Sequence, residues 1–167
     1  MEAPYMKIEQ WSIDRIRPYE KNPRRNDKAV QAVADSIREF GFRQPLVVDG
    51  DGVIVVGHTR YKAALKLGLE KVPVHVARDL TPHQARAYRL ADNRSAEDSR
   101  WDIDLLPIEL GELRDEGFDL KLVGFTEKEL TEYLRQFDTD LDDGETDAAD
   151  TPETVRCPKC GHEFPLE

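Results

Sequence analysis

Apolar residues fall along this chain in two rhythms, and each rhythm predicts a different kind of element. Between Met6 and Ile16, apolar positions at Ile8, Trp11, Ile13 and Ile16 predict one or two edge strands. From Asp27 to Phe40 the spacing becomes helical. Val30, Val33, Ala34, Ile37 and Phe40 share one buried face, Asp27 can cap the start and Gly41 can end the helix. Pro45 to Asp49 and Val53 to Val56 are short β-branched runs joined by Gly50-Asp51-Gly52, which predicts a hairpin. Ala63, Ala64, Leu65 and Leu67 then favour a helix, with Gly68 suited to its end. Val72 to Ala77 alternates again, so Val72, Val74 and Val76 face one way and His75 faces the surface. Thr81-Pro82 starts the next helix, running through Gln84, Ala85, Tyr88, Leu90 and Ala91 to an end at Asp92-Asn93-Arg94. A further helical stretch begins at Trp101-Asp102, with Ile103, Leu106, Leu110 and Leu113 as its stripe, Pro107 near its first turn and Gly117 closing it. Thr126-Glu-Lys-Glu129 is a capping box in front of Leu130, Tyr133, Leu134 and Phe137, a short face expected to pack on its own domain. Strands interleaved with helices in front, and helices alone behind, predict an α/β (α+β) fold.

Charge divides the 167 residues more sharply than hydropathy does. The net charge is −10. Residues 1–100 hold 18 Lys and Arg against 14 Asp and Glu, whereas residues 101–167 hold 6 against 20. A mildly basic front and an acidic back predict two roles, and the front remains compatible with a nucleotide or nucleic-acid partner. Asp138 to Thr154 holds eight acids and no bases. It has too few apolar groups to offset the entropy of ordering, so a disordered linker is expected over residues 138–154. No run approaches the roughly 18 apolar residues that cross a membrane, and no signal peptide opens the chain. A cytoplasmic, membrane-free protein is the expectation.

Two stretches carry candidate chemistry. In Val53-Ile-Val-Val-Gly57-His58-Thr59-Arg60, a strand feeds a glycine turn and then a helix. Free amide N–H groups and the helix dipole at such a turn favour an anion, and Arg60 adds a donor fork that matches phosphate. Near the C-terminus, Cys157-Pro-Lys-Cys160-Gly161-His162 has the spacing of a zinc knuckle. Cys157 and Cys160 could present two thiolates to Zn²⁺ and His162 a third ligand; alternatively the thiols bind nothing. Between the first strands and the first helix, Arg17 to Arg25 forms a loop with two prolines and several bases.

Gly57-x-x-Arg60-x-x-Ala63, the preceding Val53–Val56 run, and the upstream Ser36-Ile-Arg-Glu-Phe-Gly41-Phe-Arg-Gln44-Pro45-Leu-Val-Val48 resemble the ParB N-terminal domain of the ParB/sulfiredoxin superfamily. The pattern is most similar to ParB-like domains of phages and of DNA methyltransferases. The resemblance implies a compact domain over residues 1–100, with a small mixed sheet flanked by helices. After it come a helical extension over 101–137, the acidic linker over 138–154 and the Cys-x-x-Cys terminus over 155–167. It implies that Gly57, His58, Thr59 and Arg60 hold nucleotide phosphates, that Gln44 lies near the base, and that Arg24, after Asn22-Pro23, borders the pocket. Asp92 and Asn93 would help hold Mg²⁺, and Glu20 is the counterpart of a catalytic base in superfamily members that phosphorylate serine. The implied partners are CTP or ATP/ADP, DNA directly or through a partner enzyme such as a methyltransferase, and a second copy of the chain as a homodimer. Three departures matter. Gly57-His58-Thr59-Arg60 stands where ParB proteins have Gly-Glu-Arg-Arg, so one arginine is absent. Ala96 stands where an arginine would follow the Asp92-Asn93 pair. A sulfiredoxin reaction needs a cysteine in the glycine turn, and the first cysteine is Cys157. The acid-rich helices beyond residue 101 offer no evident recognition helix for DNA. The "ParB-like nuclease" description ranks behind binding, because no cluster of acids is spaced for a two-metal site.

Overall fold

The structure, a computed structural model, describes residues 6–143, 154–156 and 163–165. A four-stranded mixed sheet organises the front of the chain. It consists of β1 (Ile8–Ser12), β2 (Leu46–Val48), β3 (Ile54–Val56) and β4 (Lys71–Val76), in the order β1-β4-β2-β3. β1 runs antiparallel to β4 with Trp11 opposite Val72, β2 runs parallel to β4, and β2 and β3 form the expected antiparallel hairpin. Between β3 and β4 the chain crosses over through α2 (His58–Lys66). This α+β arrangement agrees with the one anticipated from the sequence.

The two faces of the sheet bury different sets of residues. Trp11, Ile13, Ile16, Leu46, Val48, Ile54, Val72 and Val74 pack with Ala64 of α2 on one face. Val55 and Val56 pack on the other with Ala85 of α3 (Pro82–Asp98). A β-branched run suits β3 because all three of its residues are buried, with both faces covered. His75 is not a core residue; its Nδ1 lies 3.1 Å from the Lys7 carbonyl oxygen.

Several expected boundaries move, each for a local reason. Asp27–Ala29 forms a 3-10 turn, and α1 begins at Val30 and ends at Phe40. The Asp27 carboxylate does not cap that helix, because Lys62 Nζ takes it at 2.7 Å. Thr81 does cap α3, in a capping box completed by Gln84. That helix does not stop at Arg94 but runs on to Asp98, supported by Arg94 pairs with Glu97 and Asp98 one turn on. α4 (Leu105–Asp115) starts later than Trp101, since the Asp102 carboxylate accepts the N–H groups of Asp104 and Leu105. Ile103 therefore lies outside the buried stripe and is exposed.

Behind the sheet domain, Leu106 and Leu110 of α4 pack with Leu120 and with Leu130 of α5 (Glu127–Asp143). The Phe40 and Phe118 rings stack 6.0 Å apart and join this unit to α1. The Thr126–Glu129 capping box forms as the sequence predicts. α5 continues past Asp138, into the segment expected to be disordered. There Arg114 of α4 donates to both Asp138 carboxylate oxygens, at 3.2 and 2.9 Å, and ties the acidic turn to the helix pair. Two further strands, β5 (Thr154–Arg156) and β6 (Glu163–Pro165), pair antiparallel with Val155 opposite Phe164. Cys157, Cys160 and His162 lie between these strands but outside the described residues.

Candidate functional site

α2 has no side-chain cap at its N-terminus. Gly57 occupies the N-cap with φ +102°, and the first intrahelical bond runs from the Tyr61 N–H to the Gly57 carbonyl at 2.9 Å. The N–H groups of His58, Thr59 and Arg60 thus have no partner within the helix, which makes this end an anion-seeking surface. It opens into a cavity of about 550 Å³. That volume falls within the roughly 300–1,000 Å³ of small-molecule sites.

Eight of the residues singled out in the sequence line this one cavity: Arg24, Gln44, Gly57, His58, Thr59, Arg60, Asp92 and Asn93. They arrive from four separate stretches of chain. Arg60 Nη1 donates to the Gln44 and Pro45 carbonyls at 2.9 and 3.2 Å, so it braces the loop that presents Gln44. Burial pushes the Arg60 guanidinium below the ordinary arginine range, and nearby Asp92 opposes that shift. Arg24 Nη1 donates to the Asn93 carbonyl at 3.1 Å and to Glu97 at 2.8 Å, linking the proline-rich loop to α3. Asn93 and Asp92 sit in mid-helix, where Asn93 Nδ2 donates back to the Arg89 carbonyl at 2.7 Å. Glu20 is not brought to the cavity. It lines a separate shallow cleft with Arg17, Pro18, Tyr19, Lys21 and Val53.

The remaining walls were not evident from the sequence. Asn26 donates to Thr59 Oγ1 at 2.8 Å and accepts from Lys62, which fixes the glycine turn from the far side. Arg43 supplies a third guanidinium alongside Arg24 and Arg60, and Asp92 is the one acid among the lining residues. Val33, Ile37 and Phe40 of α1 line the same space, so part of the face assigned to the core borders the cavity instead. Arg89 stands behind the wall. It is 5% exposed, its Nε donates to the Ile54 carbonyl at 2.9 Å, and its guanidinium lies 4.0 Å above the Tyr19 ring.

His58 faces this positive group, and that decides its charge. Its Nε2 accepts the Tyr19 N–H at 3.3 Å, so a neutral ring carries its proton on Nδ1. Burial first, then Arg89 and Lys62, lower its pKa from 6.5 to about 4. The unfolded chain therefore binds a proton at this histidine between pH 6.5 and about 4 while the folded chain does not. Stability from the neutral ring is present above that window and is lost as pH falls through it. Urea midpoints measured at a series of pH values should fall less steeply across this window in His58→Gln than in wild type. Parallel pH profiles would remove this role for His58.

Among the described residues, no group of three or more His, Cys, Asp or Glu is placed to hold a metal ion. A cation at Asp92 would thus depend on a ligand for part of its coordination.

The family model for the ParB N-terminal domain matches residues 2–94. A second model, the ParB-methyltransferase HTH domain, matches residues 104–159. This is the acid-rich helical stretch in which the sequence offers no evident recognition helix for DNA. The chromosome-partitioning protein Spo0J of Thermus thermophilus is 44% identical over 88 residues, which is 50% of this chain and 32% of that protein. The ParB-like nuclease domain-containing protein YnaK of Escherichia coli is 35% identical over 80 residues, or 47% of this chain and 92% of YnaK. The chain spans about a third or less of the length of these partitioning relatives. The solved structure of C-terminally truncated ParB from Caulobacter crescentus, complexed with CTP-gamma-S, has the same fold. Its TM-score is 0.64 at 21% identity, covering 85% of this chain and 88% of that one.

Proposed function

Starting from the fact that the chain belongs to the ParB N-terminal domain family, we propose that the cavity at the start of α2 binds a nucleoside triphosphate with Mg²⁺, and that the protein serves DNA partition or modification as a nucleotide-responsive module. The observation that carries this reading is the balance of charge around a nucleotide-sized cavity. Arg24, Arg43, Arg60 and the open N-terminus of α2 line it against the single carboxylate of Asp92. The phosphates would lie at Gly57–Arg60, and the loop presenting Gln44 would meet the base. Asp92 and the side-chain oxygen of Asn93, whose amide nitrogen is already engaged, fit the hard oxygen ligation that Mg²⁺ prefers. The cation would offset phosphate charge. CTP is the first candidate because the Caulobacter ParB of the same fold is complexed with CTP-gamma-S. ATP and ADP follow, because the turn has Thr59 where a second arginine would stand.

Calorimetric titration of CTP, ATP and ADP with Mg²⁺ tests the reading. One nucleotide should bind wild type, and Arg60→Ala should lower its affinity at least about tenfold, the loss of one good charge-assisted contact. Equal affinities for wild type and Arg60→Ala, or no binding of any nucleotide, would overturn it. Catalysis with Glu20 as base forms no part of the proposal, because Glu20 faces another cleft. A two-metal nuclease is also set aside, since Asp92 has no second acid beside it among the lining residues.

A further inference from the structure

α4 turns Leu106, Pro107, Leu110 and Gly111 inward. Leu105, Ile108, Glu109 and Glu112 occupy the opposite, exposed face at helical spacing. Trp101 and Ile103 lead into that face. Trp101, Ile103, Leu105 and Ile108 are 66%, 66%, 59% and 41% exposed, an unusual density of large apolar side chains in open water. The approach is not a loose tail: the Trp101 ring lies 5.5 Å from Phe125, and the Asp102 carboxylate accepts the N–H groups of Asp104 and Leu105.

The charge around these residues states what can cover them. Residues 101–116, which form this face and its flanks, hold six acids and one base, Arg114. Arg114 is held by Asp115 and Asp138, and Lys121 lies 3.8 Å from Glu127. The face therefore presents an apolar centre within a negative field. Phosphate backbone would be repelled, even though the region matches a helix-turn-helix family. A complementary surface is apolar at its centre and basic at its rim. We propose that the exposed face of α4 docks a basic amphipathic helix of a partner protein. The inference stands on the C-terminal helices alone and does not depend on nucleotide binding.

The probe is a dye-labelled synthetic peptide of Leu and Lys at helical spacing, titrated with the full chain. Binding should saturate. It should weaken about tenfold in Leu105→Ser/Ile108→Ser, and by a similar factor in Glu109→Lys/Glu112→Lys, with added salt acting on wild type in the same direction. All four positions are exposed, so circular dichroism of each variant should match wild type. The proposal is overturned if a Lys-only peptide binds as tightly, if the variants bind like wild type, or if random-sequence duplex DNA binds the full chain and that binding weakens in Leu105→Ser/Ile108→Ser. It is also overturned if sedimentation shows a wild-type dimer that the serine variant dissociates, because a second copy would then be the occupant.

Discussion

Gly57→Ala is expected to cost about 2–5 kcal/mol of stability and, with it, most of the nucleotide affinity. Two separate penalties add. At φ +102° a side chain is strained whatever the space around it. A Cβ there would also sit 2.7 Å from Leu46 Cδ2. Leu46 is a fully buried residue of β2, in one cluster with Trp11, Ile54, Val72 and Val74. The same Cβ would touch Arg60 Nε at 3.5 Å, an ordinary contact, so the strain falls on the turn and on Leu46 rather than on the guanidinium that braces the Gln44–Pro45 carbonyls. Thermal unfolding should therefore begin roughly 5–15 °C lower than in wild type. Two other glycines calibrate the result. Gly68→Ala meets open space at φ +68° and should show strain alone, whereas Gly50→Ala meets nothing and should melt like wild type. If Gly57→Ala melted with Gly50→Ala, the close packing of the turn on Leu46 would have no energetic weight.

That turn was legible in the sequence because everything that makes it is local. Four β-branched residues, one glycine and a helix-forming run follow one another without a gap, and the strand, cap and open amides come from that order. The opposite wall was not legible, because it is assembled from a distance. Asn26 reaches Thr59 across a long stretch of chain, and nothing near Asn26 announces that bond. Periodicity identified the apolar face of α1 but not its neighbour. Only Ala34 of that helix is buried, while Val33, Ile37 and Phe40 edge the cavity. The acidic composition of residues 138–154 predicts a linker from Asp138, whereas α5 runs on to Asp143, with Arg114 holding Asp138 across the helix pair. Arg89 left one faint trace, its place four residues after Ala85 on the inner face of α3.

Arg89→Met should be the most damaging substitution behind the cavity, because one buried side chain joins three elements. It bonds the β3 carbonyl of Ile54, stacks over Tyr19 of the proline-rich loop and lies 3.7 Å from the Asp49 carboxylate at the hairpin turn. Methionine fills much of the volume but donates nothing. Asp49 keeps the N–H groups of Asp51 and Val53, so it is not orphaned, and the cost falls short of that for a stranded buried charge. The loss of a charged bond and a cation–π contact still amounts to about 2–4 kcal/mol. Arg89→Lys should recover part of it at best, since an ammonium cannot both lie flat on Tyr19 and reach the Ile54 carbonyl. A second readout separates electrostatics from packing. Arg89 contributes, after burial, to holding the His58 pKa at about 4. Removing its charge should move the His58 titration, followed by the imidazole proton shifts, upward toward 6.5. Nucleotide affinity should fall as well, because the Tyr19 backbone that His58 grips belongs to the loop carrying Arg24 into the cavity. A destabilised variant whose His58 titrates as in wild type would confine Arg89 to packing. A shifted titration with weakened binding would establish it as the group that sets the charge and position of the turn.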